Sequence, residues 1–183
     1  MLDRSLFARR DRPLGAAPTS NDRARVSPAP AGVRLSLRVR GAEGLSRLGL
    51  GLAINRMSAE GERFSARLGP NEWLLGAGEA DLEALEAEIE AALGDRFHSV
   101  VDVSHRNVGL EISGPDAAAA LNAGCPLDLG DAAFPAGSAT RTLLGKAEIV
   151  LLRPTAEPLY RVECWRSFAP YVHAFLVEAA RTA

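Results

Sequence analysis

Apolar and polar residues change their spacing several times along this 183-residue chain, and each change marks an element. From Val33 the pattern alternates strictly: Val33, Leu35, Leu37 and Val39 are separated by Arg34, Ser36, Arg38 and Arg40, the period of a strand with one buried face. Phe64, Ala66 and Leu68 alternate with Arg63, Ser65 and Arg67 in the same way. Gly69-Pro70-Asn71-Glu72 reads as a turn into Trp73-Leu74-Leu75, which makes this region a hairpin. The spacing then shifts to three and four at Leu82, Leu85, Ile89 and Leu93, predicting an amphipathic helix that Gly94 closes in a left-handed conformation. Apolar runs at 99–103, 108–112, 140–144, 147–152 and 159–164 predict further strands. A second helix is expected from Pro115, stopping at Gly124, and a third from a capping Ser167, with Phe168, Val172, Phe175, Leu176 and Ala179 as one stripe. Pro170 falls in the first turn of that helix, where the lost donor matters little.

Strands, helix, strands, helix, strands, helix is the order of an α+β domain: mainly antiparallel sheets with three helices packed on one side of them. The folded domain is expected over residues 31–183, in two rough halves at 31–96 and 97–183 that are candidates for related lobes without a sequence repeat to prove it. Residues 1–30 break every period with Pro13, Pro18, Pro28, Pro30 and six arginines, and read as an extended arm with no structure of its own. Its Leu2, Leu6, Phe7 and Leu14 are suited to grooves on a partner, and a floppy tail is the competing reading. On the first reading, deleting residues 1–28 weakens assembly and leaves the domain's melting temperature nearly unchanged.

Charge and cysteine usage narrow the function classes. With 21 basic and 23 acidic residues, the net charge of −2 sets up no field for nucleic acid or an anionic membrane, and neither is an expected partner. Two distant cysteines and no long apolar run argue against a disulfide framework, a signal peptide or a transmembrane helix, so a cytoplasmic location is expected.

Candidate chemistry is sparse. His98, His105 and His173 have no metal-ligand spacing with Cys125 or Cys164, there is no C-x-x-C pair, and both cysteines read as small buried hydrophobes. Gly49 and Gly51 do not complete a G-x-G-x-x-G loop. Asp102, Ser104 and His105 look like a triad, but on a strand Asp102 and Ser104 share a face and His105 takes the other; the first two instead suit hydrogen bonds that fix a bend. The arginines at 34, 38 and 40 repel one another and favour a negative neighbour; a solvated face and a binding role both stand. Tyr160, Trp165, Phe168, Tyr171 and Phe175 are five of the chain's ten aromatic residues. Trp165 shares a strand face with Arg161 and Glu163, opposite Val162 and Cys164, so with Arg166 nearby the face reads as an interface; a core role for Trp165 is the competing reading. The candidate interface residues are therefore Leu6, Phe7, Arg161, Trp165 and Arg166. No catalytic, cofactor-binding or metal residue is assigned.

Several segments, taken in order, resemble a folate-dependent aminomethyltransferase domain. They are Val101-Asp102-Val103-Ser104-His105, the strand closed by Gly114-Pro115-Asp116-Ala117, the turn at Cys125-Pro126, the loop Phe134-Pro135-Ala136-Gly137, and the strands 139–144 and 146–153. Leu68-Gly69-Pro70-Asn71-Glu72-Trp73-Leu74-Leu75 and the run from Tyr160 to Val172 are similar, more closely, to the gamma subunits of heterotetrameric sarcosine oxidases. The resemblance spans 31–181 and implies a half or lobe pair of the aminomethyltransferase fold, in a structural subunit of a four-chain complex. Such a complex oxidatively demethylates sarcosine to glycine, produces hydrogen peroxide and passes the one-carbon unit to tetrahydrofolate. It implies partners named alpha, beta and delta, chiefly alpha, with FAD and FMN in the flavoprotein part, NAD in alpha and zinc in delta, and no cofactor in this chain.

One departure from the enzymes bears on catalysis. They carry a glycine pair followed by two acids, the first of which orients the folate nitrogen and the amine. Gly145-Lys146-Ala147-Glu148 places alanine at the first acid, and Glu148 lies on the opposite strand face. The K-G-C-Y-x-G-Q-E motif of the folate-binding iron–sulfur maturation relatives is also absent. The alternative is a free-standing folate or one-carbon binding protein; an independent aminomethyltransferase would need another acid.

Overall fold

A computed structural model describes residues 13–14, 19–20, 23–41 and 44–183. The strands are β1 (Thr19–Ser20), β2 (Arg25–Pro28), β3 (Val33–Val39), β4 (Arg56–Glu60), β5 (Arg63–Gly69), β6 (Glu72–Ala77), β7 (His98–Asp102), β8 (Asn107–Ser113), β9 (Ser138–Leu144), β10 (Ala147–Arg153) and β11 (Leu159–Trp165). The helices are α1 (Leu82–Leu93), α2 (Ala117–Asn122) and α3 (Ala169–Thr182). All strand pairs are antiparallel, in the order β1-β2-β8-β11-β10-β9-β4-β5-β6-β3-β7.

That order is a palindrome. β2-β8-β11-β10-β9 in one lobe answers β7-β3-β6-β5-β4 in the other, and among the described residues the two half-sheets meet where Arg56 of β4 pairs with Ser138 of β9. The correspondence extends to register. Leu35 faces Leu75 where Leu110 faces Val162, Arg34 faces Gly76 where Gly109 faces Glu163, and Val103 N–H donates to Arg34 O at 2.8 Å where Ala29 N–H donates to Gly109 O at 2.9 Å. The lobes are thus related by topology, and each borrows its last strand across the expected division at 96/97: β7 closes the first lobe and β2 the second.

Burial follows strand parity. Leu35, Leu37, Trp73 and Leu75 pack with Leu85, Ile89 and Leu93 of α1 in one core. Leu110, Ile112, Ile149, Leu151 and Val162 pack under α2 and α3 in another. The alternate residues Ala66, Leu74, Val150 and Leu152 meet in a third, smaller core. Each lobe therefore carries its helices on one face. Residues 73–75 of β6 and 149–152 of β10 read as continuous apolar runs because both faces are covered there.

The element ends differ from expectation in instructive ways. α1 ends at Gly94 with φ +53° but ψ −131°, a positive φ outside the left-handed helical well. α2 starts at Ala117, two residues after Pro115. Ser167 does not cap α3: it sits in a 3₁₀ turn, Arg166–Phe168, and the helix starts at Ala169 with no side-chain cap, Pro170 lying in its first turn.

The arm drawn at 1–30 requires a larger correction. β2 lies inside it and pairs with β8, Val26 opposite Ile112, while Ala24 and Val26 are buried and Leu14 packs against the same core. The prolines hide a two-residue alternation too short to register as a strand, yet β8 offers that strand its free edge. Leu2, Leu6 and Phe7 lie outside the described residues.

Candidate functional site

The opposed faces of the lobes hold the most unusual chemistry in the chain, a buried ion cluster. Glu163 of β11 is 1% exposed and Arg34 of β3 is 3% exposed. Arg34 Nε and Nη2 donate to the two carboxylate oxygens of Glu163 at 3.2 Å each, and its Nη1 donates to Gly32 O at 2.8 Å. Arg161 adds a donor to Glu163 Oε1 at 2.7 Å and lays its guanidinium 4.8 Å above the ring of Phe64. Burial pushes the Glu163 carboxyl upward, the largest single effect; Arg161 and Arg34 outweigh it, and the group is held below its ordinary range.

Glycines make room for this cluster. A Cβ on Gly109 would lie 2.7 Å from Glu163 Oε1 and 2.9 Å from Arg34 Nη2, and one on Gly76 would overlap the Phe64 ring. The Asp102–Ser104 segment closes the end of β7 and ties it to Arg34: Ser104 N–H donates to Asp102 Oδ1 at 2.8 Å, and Arg34 N–H donates to Ser104 Oγ at 2.8 Å. The bend expected from these residues is therefore built, while His105 is exposed beyond it.

Of the other arginines on β3, Arg38 is half exposed and lies 3.2 Å from Glu72, which also accepts from Arg141 of the second lobe at 2.7 Å. That hydrogen bond chiefly lowers the Glu72 carboxyl, against its partial burial. A solvated face thus describes Arg38 and Arg40; Arg34 is the exception, and alternation with apolar neighbours gave no signal of it.

Trp165 is 47% exposed at the end of β11, its ring 6.2 Å from the exposed Phe168, with the Arg106 guanidinium 5.8 Å from its centroid. Trp165 is not a core residue. Arg161 does lie on the same strand face but turns inward to Glu163 and Phe64. Arg166 is part-buried in the turn after β11, its N–H bonded to Arg106 O at 2.6 Å.

Little else among the described residues is poised for reaction. No group of three or more His, Cys, Asp or Glu side chains is arranged to hold a metal ion there. Cys164 is buried on the helix side of β11 and its thiol is pushed up to about 12 by burial and then by Glu163. Tyr160 is raised mainly by burial. Each of these shifts reinforces the charge state the group already has at neutral pH, the reverse of a poised acid or base. Ala147 is fully buried in the core under α2 and α3, and Glu148 points to the other face near Arg141. A cavity of about 220 Å³ opens between the lobes beside Met57, Arg63, Phe64, Glu111, Leu152 and Arg161.

Two facing antiparallel lobes with outer helices, with paired charges between the lobes, define an aminomethyltransferase-like fold. The fold likeness extends to the glycine cleavage system aminomethyltransferase T from Bartonella henselae, with a TM-score of 0.59 at 17% identity over 85% of this chain and 48% of that one. Residues 38–182 match the family described as "Sarcosine oxidase, gamma subunit family", and the chain belongs to it. The sarcosine oxidase subunit gamma of Corynebacterium sp. (strain P-1) is 38% identical over 112 residues, and that of strain U-96 is 35% identical over 112. Each match takes in 61% of this chain and 54% or 53% of the relative, so the chain spans about half the length of these relatives. A chain of the heterotetrameric sarcosine oxidase from Corynebacterium sp. U-96, in complex with pyrrole 2-carboxylate, superposes with a TM-score of 0.79 at 28% identity, over 90% of this chain and 88% of that one. No helix among the described residues is long and apolar enough to cross a membrane.

Proposed function

We propose that this chain is the structural gamma subunit of a heterotetrameric sarcosine oxidase, a complex that demethylates sarcosine to glycine and passes the one-carbon unit to tetrahydrofolate. The carrying observation is the likeness to a chain of such a complex over nearly the whole length of both, joined to a lobe interface whose charged groups are engaged with one another. On this reading alpha, beta and delta chains are the partners, alpha chiefly, and FAD, FMN, NAD and zinc reside in them. Trp165 and Phe168, with Arg166 at their border, form the contact face, since exposed aromatics beside arginine favour the centre of an interface. Arg161 supports that face from within.

Tagged chain purified from its host tests the reading: a flavoprotein pair and a small zinc protein in fixed stoichiometry support it, and a clean single chain at native expression rejects it. The second reading, a folate or one-carbon binding protein, draws on the cavity between the lobes. Titration of the isolated chain with tetrahydrofolate separates the two, because saturable binding without partner chains favours the second.

A further inference from the structure

The contact face at Trp165 has a cationic neighbour whose hydrogen bonding is incomplete. Arg106, in the turn between β7 and β8, is pinned through its backbone: its N–H donates to Val103 O at 3.0 Å, and its carbonyl accepts from Arg166 N–H at 2.6 Å. Its side chain is aimed as well. Nε donates to Oδ1 of the buried Asn107 at 3.2 Å, and the guanidinium stands 5.8 Å from the Trp165 ring centroid. The terminal nitrogens, which carry the remaining guanidinium donors, have no acceptor among the described residues.

Charge around Arg106 is unbalanced in the same sense. Glu72 is shared by Arg38 and Arg141 and lies within the field of Arg106, while Glu148 stands 3.6 Å from Arg141. Three guanidiniums thus meet two carboxylates, and Glu163 on the inner wall is already held by Arg34 and Arg161. Arg106, Arg141, Glu72, Glu148 and Trp165 line a recess of about 40 Å³ at this end of the lobe cleft. That is room for about three waters, enough for a carboxylate and too little for an aromatic heterocycle. The rim is apolar. Leu143 of β9, opposite Glu148, and Trp165 of β11 share the cleft side of their strands, Phe168 lies beside Trp165, and all three are exposed.

We propose that this recess is the socket for an acidic side chain of a partner chain: an aspartate or glutamate set in an otherwise apolar segment of another subunit. The terminal nitrogens of Arg106 hold its carboxylate, with Arg141 behind them, and the apolar neighbours of the acid lie on Leu143, Trp165 and Phe168. The inference rests on the reading of the Trp165 face as a subunit contact and adds what the partner must bring to it. A purely apolar segment would strip water from Arg106 and leave its donors without an acceptor. A basic segment would meet three guanidiniums, and a phosphate dianion would overshoot the single excess charge. One carboxylate balances the charge and completes the donors together. The backbone anchors and Asn107 fix the guanidinium before the partner arrives, so little side-chain freedom is lost when the paired hydrogen bonds form.

Assembly of the full chain with its partner chains, titrated over a salt series, tests this. Arg106→Gln should weaken assembly by about tenfold or more and make it less dependent on salt than the parent. The melting temperature of the isolated chain should stay unchanged, because Arg106 is exposed. Arg106→Lys keeps the charge and places an amine at the recess. Carbodiimide treatment of the assembled complex should then couple position 106 to an aspartate or glutamate of a partner chain, read by mass spectrometry of the cross-linked peptides. Coupling only to Glu72 or Glu148 of this chain, or none at all, overturns the proposal, as does assembly indifferent to Arg106→Gln. Trp165→Ala keeps the two readings apart. If it weakens assembly and Arg106→Gln does not, the contact face stands and the socket falls; if neither variant weakens assembly, the contact face falls as well.

Discussion

Removing the carboxylate at the centre of the lobe interface, Glu163→Ala, leaves Arg34 charged at 3% exposure, with its Nε and Nη2 hydrogens stripped of their acceptors and only Nη1 still bonded to Gly32 O. Arg161, with 19% of its side chain exposed, can turn to water, so the cost falls on Arg34. A buried pair broken on one side destabilises by about 3–5 kcal/mol, and a charge separation near 4 Å at an effective dielectric of 20 gives about 4 kcal/mol. The two estimates agree. For a chain of this length that loss lowers the melting temperature by about 10 °C. Urea denaturation and thermal melts of the isolated chain measure it, and the double variant Arg34→Met with Glu163→Met, which removes both charges, should recover most of the loss. A loss under about 1 kcal/mol, or a double variant no better than the single one, would refute the assignment of Arg34 and Glu163 as a coupled buried pair. The same pair sets an acid dependence. Because the folded carboxyl lies below the ordinary 4.5, its contribution is complete above that value and is lost as pH falls further toward the folded value. Glu163→Gln should flatten the stability curve in that range.

Gly109→Ala should destabilise the chain by about 1–3 kcal/mol, since a methyl group there collides with both halves of the ion pair; equilibrium unfolding reads it. Deleting residues 1–28 should lower stability by well over 2 kcal/mol, because burial of Val26 alone is worth about 1.5–3 kcal/mol and β8 loses a ladder partner; an unchanged melting temperature would restore the arm as a pure tether. Trp165→Ala should leave the isolated chain's melting temperature nearly unchanged and weaken assembly by about 2 kcal/mol or more, measured by titration against the partner chains. Cys164 should resist thiol reagents at pH 8 in the native state and react once the chain is unfolded, its thiol lying at about 12.

Strand β3, helix α1 and the paired strands after Pro135 were legible from the periodicity of their side chains, because a buried face repeats every two residues on a strand and every three to four on a helix. The order of those elements was enough to define an α+β fold, and the Tyr160–Val172 run was enough to point to the family. Alternation reports that one face is buried; it does not report what lies against the other. Arg34, Arg38 and Arg40 fall on the same face of the alternation, yet Arg34 is closed into the molecule because a second lobe brings Glu163 over it, from 129 residues away. Phe97 has the composition of a core residue and stands almost wholly in solvent because β7 is the last strand of its lobe. β2 was hidden for the converse reason: its few apolar residues, set among prolines, become a strand only once β8 presents an edge to complete. Local chemistry along the chain determined the elements and the inner and outer faces of most of them. The exchange of end strands between lobes, the buried ion pair and the open edge were decided by contacts between distant segments, whose energies depend on the burial that only the assembled fold provides.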